Sequence, residues 1–449
     1  MANHPPNPSP SQFLSYLSSH EKTPTRELLQ PYLSYETSLR KAFANGDADI
    51  DSLANMVAAY DGHENLFRIR TIDRETAGPE KYLMPLADSK REANGVPAIA
   101  ASMKDYQKNF RAFTHGVLAG IDWSNVVVAG SAALLPLLSH REGVGPELCN
   151  DQTVENSLEV YFQTIASGSD IDIFLYGIES EDAAITRIIE LEAAVRRRQR
   201  LVPGKGLSLR SKHAITFIAP KGPYRHVQVI LRLYRSISEI LTGFDVDCAC
   251  VAFDGERVYT NPRGVAAIAT RTNTIDLTRR SPSYENRLRK YRDQGFEVFW
   301  DCLERSRIKD DLIGELDSDE WKYLTGLARI LDWERRTGDQ HDYTVDYFGR
   351  RGLRRIDDGG DPALVTNMSG YATHVIPSSA YFTAARIKSY VKKHSTEPFR
   401  FGTIRQVMGL APIKDKKRGE QLGGKVTFMK DNPGRQMIGS FYPLTEDDW

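Results

Sequence analysis

The chain has 449 residues, with 59 Lys and Arg against 59 Asp and Glu, so its formal net charge is zero. Its length predicts two or three domains. Its composition, with 41% hydrophobic and 26% charged residues, excludes a disordered chain. Zero net charge excludes binding to nucleic acid through global basicity, although a local basic groove stays open. The polar, Pro-rich start and the lack of a long apolar run predict neither a signal peptide nor a membrane span. The four Cys form neither a disulfide ladder nor a paired zinc motif. We therefore expect a reduced cytoplasmic protein without a membrane partner, and the nucleus is the alternative location.

The pattern along the chain predicts an α+β fold. Residues 1–10 are rich in Pro and Ser and predict a flexible tail, and 11–120 predict a helical N-terminal region. Strands and helices mix over 121–275, which predicts a mixed β-sheet core with flanking helices. Helical and loop-rich patterns dominate 276–449.

Acidic residues recur within the predicted strands of this core. Asp170 and Asp172 lie on one face of a strand, because side chains alternate along it. A strand predicted over Phe244–Phe253 places Asp245 and Asp247 together on one face, and Cys248 and Cys250 on the other. Clustered carboxylates are costly without a cation. Mg²⁺, or alternatively Mn²⁺, is the natural ligand of such oxygens, so these four aspartates are the candidate metal ligands. We expect the two Cys to be small core residues.

Three stretches resemble the polymerase-β-like nucleotidyltransferase superfamily. They are Val128-Ala-Gly-Ser131, the Asp-x-Asp strand Ser169-Asp-Ile-Asp-Ile-Phe174, and Phe244-Asp-Val-Asp247. The longer run from His226 to Asp247 resembles a nucleotidyltransferase-like module found beside ankyrin repeats in fungal and protist proteins. The resemblance covers about residues 125–300 and implies a nucleotidyltransferase-type core.

The resemblance also implies roles for individual residues. Gly130 and Ser131, with Ser169, would bind the nucleotide. Asp170 and Asp172 would bind two metal ions. Asp247, or alternatively Asp245, would be the third carboxylate, so the implied catalytic set is Asp170, Asp172 and Asp247. The distance in sequence from Ser131 to Asp170 is longer than the family pattern, which makes 139–167 an insertion that acts as a lid or specificity element.

Basic residues outside these motifs are further candidates. Lys212 precedes a predicted strand, and in a nucleotidyltransferase it could reach the triphosphate of the bound nucleotide. Arg279 and Arg280 precede a basic helix that begins near Ser281. That helix is either an ordinary solvated face or a cover over the nucleotide, and the sequence favours neither.

These observations predict a Mg²⁺-dependent nucleotidyltransferase that moves a nucleotidyl group from an NTP to a hydroxyl and releases pyrophosphate. The acceptor stays open among an RNA end, a small molecule and a protein hydroxyl. The alternative is a catalytically silent nucleotidyltransferase-like module that binds or scaffolds. A third reading is a metal-dependent nuclease that acts without NTP.

Overall fold

A computed structural model describes most of the chain. The described residues are 9–139, 154–166, 168–281, 283–308, 324–337, 376, 383–394, 398–413, 422–430 and 437–438. The predicted tail over 1–10 lies outside them except for its last two residues. Within this part of the chain, no helix has both the length and the apolar character that a membrane span needs.

The helices and strands alternate irregularly along the chain. The α-helices are α1 (Gln12–Ser19), α2 (Thr25–Asn45), α3 (Arg74–Ala77), α4 (Met103–Thr114), α5 (Ser131–Leu137), α6 (Val154–Ile165), α7 (Glu181–Arg198), α8 (Ile237–Thr242), α9 (Pro262–Thr270), α10 (Tyr284–Arg292), α11 (Gly326–Thr337), α12 (Ala384–His394) and α13 (Ile404–Val407). The strands are β1 (Val57–Ala58), β2 (Tyr82–Leu83), β3 (Val126–Ala129), β4 (Ile171–Tyr176), β5 (Ser208–Arg210), β6 (Ala214–Phe217), β7 (Val227–Tyr234), β8 (Val251–Phe253), β9 (Val258–Thr260), β10 (Thr272–Thr274), β11 (Glu297–Phe299) and β12 (Arg400–Gly402).

Two mixed sheets are present among the described residues. The larger has the order β1-β9-β8-β3-β4-β7-β6-β5-β12, and the smaller has the order β10-β11-β2. Strands β4 and β7 are parallel, whereas the other neighbours in the larger sheet are antiparallel. The α+β class expected from the sequence is confirmed.

The two faces of the central strands have different neighbours because side chains alternate along each strand. Ile171, Ile173, Val227 and Val229 belong to the main hydrophobic core, to which α4 to α7 also contribute. The opposite face carries Asp172 and Phe174 from β4, together with Gln228, Ile230 and Arg232 from β7, and it borders a cavity. Helix α8 packs on that opposite face through Ile237, Ile240 and Leu241, against Val127 and Phe174. The functional candidates therefore lie on the polar face of the central sheet.

The segment predicted as an insertion contributes to the core where it is described. Phe162 of α6 is fully buried and packs against Phe113 of α4. Arg225 donates hydrogen bonds to the carbonyl oxygens of Phe162 and Ala166. Within the predicted insertion 139–167, α6 is therefore part of the core, and residues 140–153 lie outside the described part.

The predicted strand over 244–253 is also wrong in its first half. Asp247–Ala249 form a single 3₁₀ turn, and only Val251–Phe253 are a strand. Partners distant in sequence fix this turn, since the Cys248 N–H donates to Asn273 Oδ1 at 2.9 Å. Asp245 and Asp247 consequently do not share a strand face. Cys248 and Cys250 are buried core residues, as expected.

Candidate functional site

A cavity of about 350 Å³ lies on the polar face of the larger sheet. Its volume is typical of small-molecule sites. The sheet forms its floor, and α10 and the chain near Phe244 form one wall. Lining residues include Gly130, Ser131, Asp172, Lys212, Thr216, Gln228, Phe244, Asp245, Arg287, Lys290 and Tyr291. The cavity therefore brings together five of the residues expected from the sequence, namely Gly130, Ser131, Asp172, Lys212 and Asp245.

Asp170 and Asp172 form the acidic centre of this site. Asp170 directly precedes β4, Asp172 lies in it, and both are partly buried. The pKa of each carboxyl is raised to about 7, chiefly by burial, and in the case of Asp172 also by the neighbouring charge of Asp170. Asp170 Oδ1 is buried without a hydrogen-bond partner among the described residues. Lys290, Arg225 and Arg287 offset part of the negative charge of the pair, but the effect of burial on the pKa is larger.

Lys290 of α10 faces the same two carboxylates from the cavity wall. Its side chain is exposed to the cavity, and its ammonium lies over the Tyr291 ring at 5.6 Å. Desolvation by the surrounding protein lowers the pKa of Lys290, and the charges of Asp172 and Asp170 raise it by less. The described residues place no carboxylate within ion-pair distance of it. Lys290 is therefore a cation available to a ligand.

Gly130 and Ser131 meet the cavity at the end of β3. Gly130 has φ 75° and ψ −144°, a backbone conformation that residues other than glycine rarely adopt. Ser131 is buried, and its hydroxyl lies 3.0 Å from the Tyr291 hydroxyl of α10. This contact joins the β3–α5 turn to α10, so α10 is fixed over the cavity. Pro136 lies near the end of α5.

Asp245 and Asp247 have different surroundings. Asp245 lines the cavity, and its Oδ2 accepts hydrogen bonds from Ser281 at 3.0 Å and from Arg287 at 2.5 Å. Asp247 is 4% exposed, and its two oxygens accept from Arg263 at 2.8 Å and from the Thr274 N–H at 2.6 Å. Asp247 does not line the cavity. The structure therefore does not place this preferred third carboxylate beside Asp170 and Asp172.

Arg279 and Arg280 are buried in ion pairs away from the cavity lining. Arg279 Nη2 lies 3.2 Å from Glu36 Oε1, and Arg280 Nη2 lies 2.6 Å from Glu285 Oε1. Arg279 belongs to a buried cluster with Glu36, Asp247, Arg263 and Asp276, which we call the arginine cluster. This cluster connects α2 and α9 to the chain after β10. The structure assigns these two arginines to folding contacts and not to a nucleotide.

Ser169 and Lys212 lie at opposite sides of the site. Ser169 is buried, and its carbonyl oxygen accepts from Arg225 at 3.0 Å, so it supports Asp170 from behind the sheet. Lys212 lines the cavity just before β6, which is two strands away from β4. Two strand spacings correspond to about 10 Å. Lys212 can therefore contact only a ligand that extends across the sheet.

Gln228, Arg287 and Lys290 are site residues that the sequence reading did not single out. Gln228 pairs with Asp172 across the parallel strands β4 and β7, on the same face. The alternation of polar and apolar residues along β7 is the signal that could have identified it. Arg287 and Lys290 are three residues apart in a basic helix, so helical spacing could have placed them together.

Arg225 is a buried cation behind the acidic pair. It is 1% exposed and donates to the carbonyl oxygens of Phe113 at 2.8 Å and Phe162 at 2.9 Å, besides Ser169. Its charge lowers the pKa of Asp170, although the effect of burial is larger. Arg225 thus offsets part of the negative charge without entering the cavity.

The acidic pair fits a bound divalent cation. Mg²⁺ prefers oxygen ligands and is commonly held by one or two carboxylates together with substrate phosphates. An orphaned carboxylate oxygen and two raised pKa values are expected where a cation is needed for charge balance. The described part of the chain contains no group of three or more metal-binding side chains. Asp170 and Asp172 are therefore the protein ligands that the site offers.

Comparison with known proteins finds similarity over the central part of the chain. Residues 104–271 match the model of a family described as Gabija anti-defense 2 family protein. An uncharacterized protein of Acanthamoeba polyphaga mimivirus is 36% identical over 215 residues, which are 45% of this chain and 46% of the relative. The chain thus spans about half the length of this curated relative. No solved structure matches the chain significantly. The family match includes Asp170, Asp172 and Gln228 but ends before α10.

Proposed function

We propose that this chain is a Mg²⁺-dependent nucleotidyltransferase that binds an NTP in the cavity and transfers its nucleotidyl group to a hydroxyl. The observation that carries the proposal is the acidic pair Asp170 and Asp172, in which Asp170 keeps a buried oxygen without a hydrogen-bond partner among the described residues. Asp172 lines a ligand-sized cavity together with Lys290. Asp170 and Asp172 would hold the cation. When bound, it would offset phosphate charge and lower the pKa of the attacking hydroxyl.

The side chains around the pair have complementary tasks. Lys290 supplies positive charge to the phosphates, because its ammonium faces the cavity and forms no ion pair with the described residues. The hydrogen bond between Ser131 and Tyr291 holds α10, and therefore Lys290, against the end of β3. Phe174 and Phe244, whose ring centroids lie 5.5 Å apart, supply an apolar surface for the remainder of the nucleotide. Arg225 keeps Ser169 and the start of β4 in position.

Two measurements test this proposal. Melting temperature is measured with each NTP, with and without Mg²⁺, for the wild-type protein and for Asp172→Asn. A ligand that binds only the folded state stabilises it by about 2.7 kcal/mol at 100 times its dissociation constant. We expect a Mg²⁺-dependent increase for wild type and little for the variant. Labelled NTP is then incubated with candidate acceptors, and both pyrophosphate and labelled product are measured. No increase with any NTP would refute the proposed site.

A catalytically silent binding module is the second candidate function. Two observations favour it: Asp247 is committed to Arg263 and Thr274, and the residue beside Asp172 on β7 is the neutral Gln228. This candidate predicts that NTP and Mg²⁺ raise the melting temperature without release of pyrophosphate. The same pair of measurements therefore distinguishes the two functions.

The family similarity suggests the biological setting. We infer a role against the Gabija defense, because the matching family is described as Gabija anti-defense 2 and the match includes Asp170 and Asp172. The test expresses the wild-type chain, or the double variant with Asn at both positions, in cells that carry this defense. Suppression of the defense by wild type and not by the variant would connect the cavity to this role. Equal suppression by both would separate the role from the cavity.

A further inference from the structure

The acidic centre offers fewer negative charges than two divalent cations need. Two-metal sites hold their ions about 3.5–4 Å apart and require ligands that bridge or flank both. Here Asp170 and Asp172 are neighbouring carboxylates on the same face of the chain at the start of β4. The described residues add no third metal-binding side chain to this pair.

Among the described residues, three positions could supply a third carboxylate, and none of them presents an unpaired one. Asp247 uses both oxygens within the fold, on Arg263 and on Thr274. Asp245 lines the cavity, but Arg287 and Ser281 both donate to its Oδ2. Gln228 pairs with Asp172 on the neighbouring strand, where its neutral amide donates to Thr216 Oγ1 at 3.2 Å. An acidic side chain at this last position would have adjoined Asp172 directly.

A fixed positive charge is present instead. Lys290 and Arg287 line the same cavity as Asp172. The ammonium of Lys290 interacts electrostatically with Asp170 and Asp172, and Arg225 adds further positive charge nearby. A second divalent cation would have to approach Lys290 without gaining a carboxylate ligand, and like charges repel strongly where the surroundings are of low polarity. The ammonium can offset phosphate charge without any ligand of its own.

From this arrangement we propose that the site binds one divalent cation, and that Lys290 takes the place of a second. This inference rests on the proposed function, since it presupposes that Asp170 and Asp172 hold a cation. It departs from the two-ion site that the sequence resemblance implies. The wild-type protein should therefore bind one more divalent cation than a variant without the acidic pair.

Counting bound Mn²⁺ tests the inference. The full chain is dialysed to equilibrium against Mn²⁺ alone, and bound ion is measured for wild type and for the double variant Asp170→Asn with Asp172→Asn. The variant serves as the control for adventitious surface binding. Circular dichroism and melting temperature verify that both proteins are folded. Electron paramagnetic resonance of bound Mn²⁺ then reports whether two ions lie close enough for their spins to couple.

We expect a difference of one Mn²⁺ per chain and an uncoupled spectrum. A second variant, Lys290→Met with Gln228→Asp, removes the ammonium and adds a carboxylate beside Asp172. This variant should bind two more Mn²⁺ ions per chain than the double Asn control, and their spectrum should show spin coupling. If the wild type binds two more Mn²⁺ ions than the double Asn control, the inference is overturned and the proposed function stays intact. If wild type and control bind the same number of Mn²⁺ ions, the metal site is refuted, and both proposals are refuted with it. Failure of the second variant to gain an ion would refute the role given to Lys290.

Discussion

Asp247→Asn separates a structural role for this aspartate from a catalytic one. Asp247 is 4% exposed, and both of its oxygens are hydrogen bonded within the fold, one of them to Arg263 at 2.8 Å. Removing one partner of a buried ion pair costs about 3–5 kcal/mol. The asparagine keeps one oxygen acceptor, and Arg263 keeps its ion pair with Glu36 at 3.4 Å. We therefore expect a loss of stability at the lower end of this range, about 3 kcal/mol.

The assay is urea unfolding followed by tryptophan fluorescence, with EDTA to remove metal. Asp245→Asn is the matched control, because its partner Arg287 is 38% exposed, so the loss of this ion pair should cost less than the loss of the buried Asp247–Arg263 pair. We expect Asp247→Asn to lose more stability than the control while it still responds to NTP and Mg²⁺. If Asp247 were instead the third metal-binding carboxylate, its Asn variant would keep or gain metal-free stability and would lose activity. That outcome would refute the assignment of Asp247 to the arginine cluster.

Three further predictions follow from the site. Because burial raises the pKa of Asp170 and Asp172 to about 7, the folded protein binds more protons than the unfolded chain between about pH 4 and 7, so metal-free stability should fall as pH rises through that window. Urea unfolding across this range should show a flatter profile for the double Asn variant, and an equal slope would refute the pKa assignment. Lys290→Met should weaken NTP binding at least tenfold by titration calorimetry, whereas unchanged affinity at low salt would exclude phosphate contact. Arg279→Ala leaves Glu36 with one fewer buried partner. We therefore expect the free energy of unfolding in urea to fall by about 3 kcal/mol and the NTP affinity to stay unchanged. Weaker NTP binding in a folded variant would show that Arg279 contacts the nucleotide.

The acidic pair and much of the helical framework could be predicted because their signals are local. Asp is disfavoured inside strands, so an Asp-x-Asp motif in an otherwise apolar strand indicates a special role. Met103, Tyr106, Phe110 and Phe113 recur at the three- and four-residue steps of a helix, and all four lie in α4.

The chain around Asp247 could not be predicted because its conformation depends on distant residues. Alternation over 244–253 matches a strand, yet hydrogen bonds to Arg263, Asn273 and Thr274 favour a 3₁₀ turn. Local pattern cannot reveal such partners. Likewise, the pairing of Gln228 with Asp172 depends on which strand lies beside β4, and the sequence does not specify that neighbour.

Release of pyrophosphate is the measurement that tests the central claim most directly. Purified full chain is incubated with each NTP, Mg²⁺ and mixed hydroxyl acceptors, in parallel with Asp170→Asn and Asp172→Asn, and pyrophosphate is quantified. The proposed function predicts metal-dependent pyrophosphate from wild type, with at least a hundredfold lower rate in either variant, about 2.7 kcal/mol of transition-state stabilisation. Equal pyrophosphate release by wild type and both folded variants would contradict the claim that these two carboxylates are the catalytic centre.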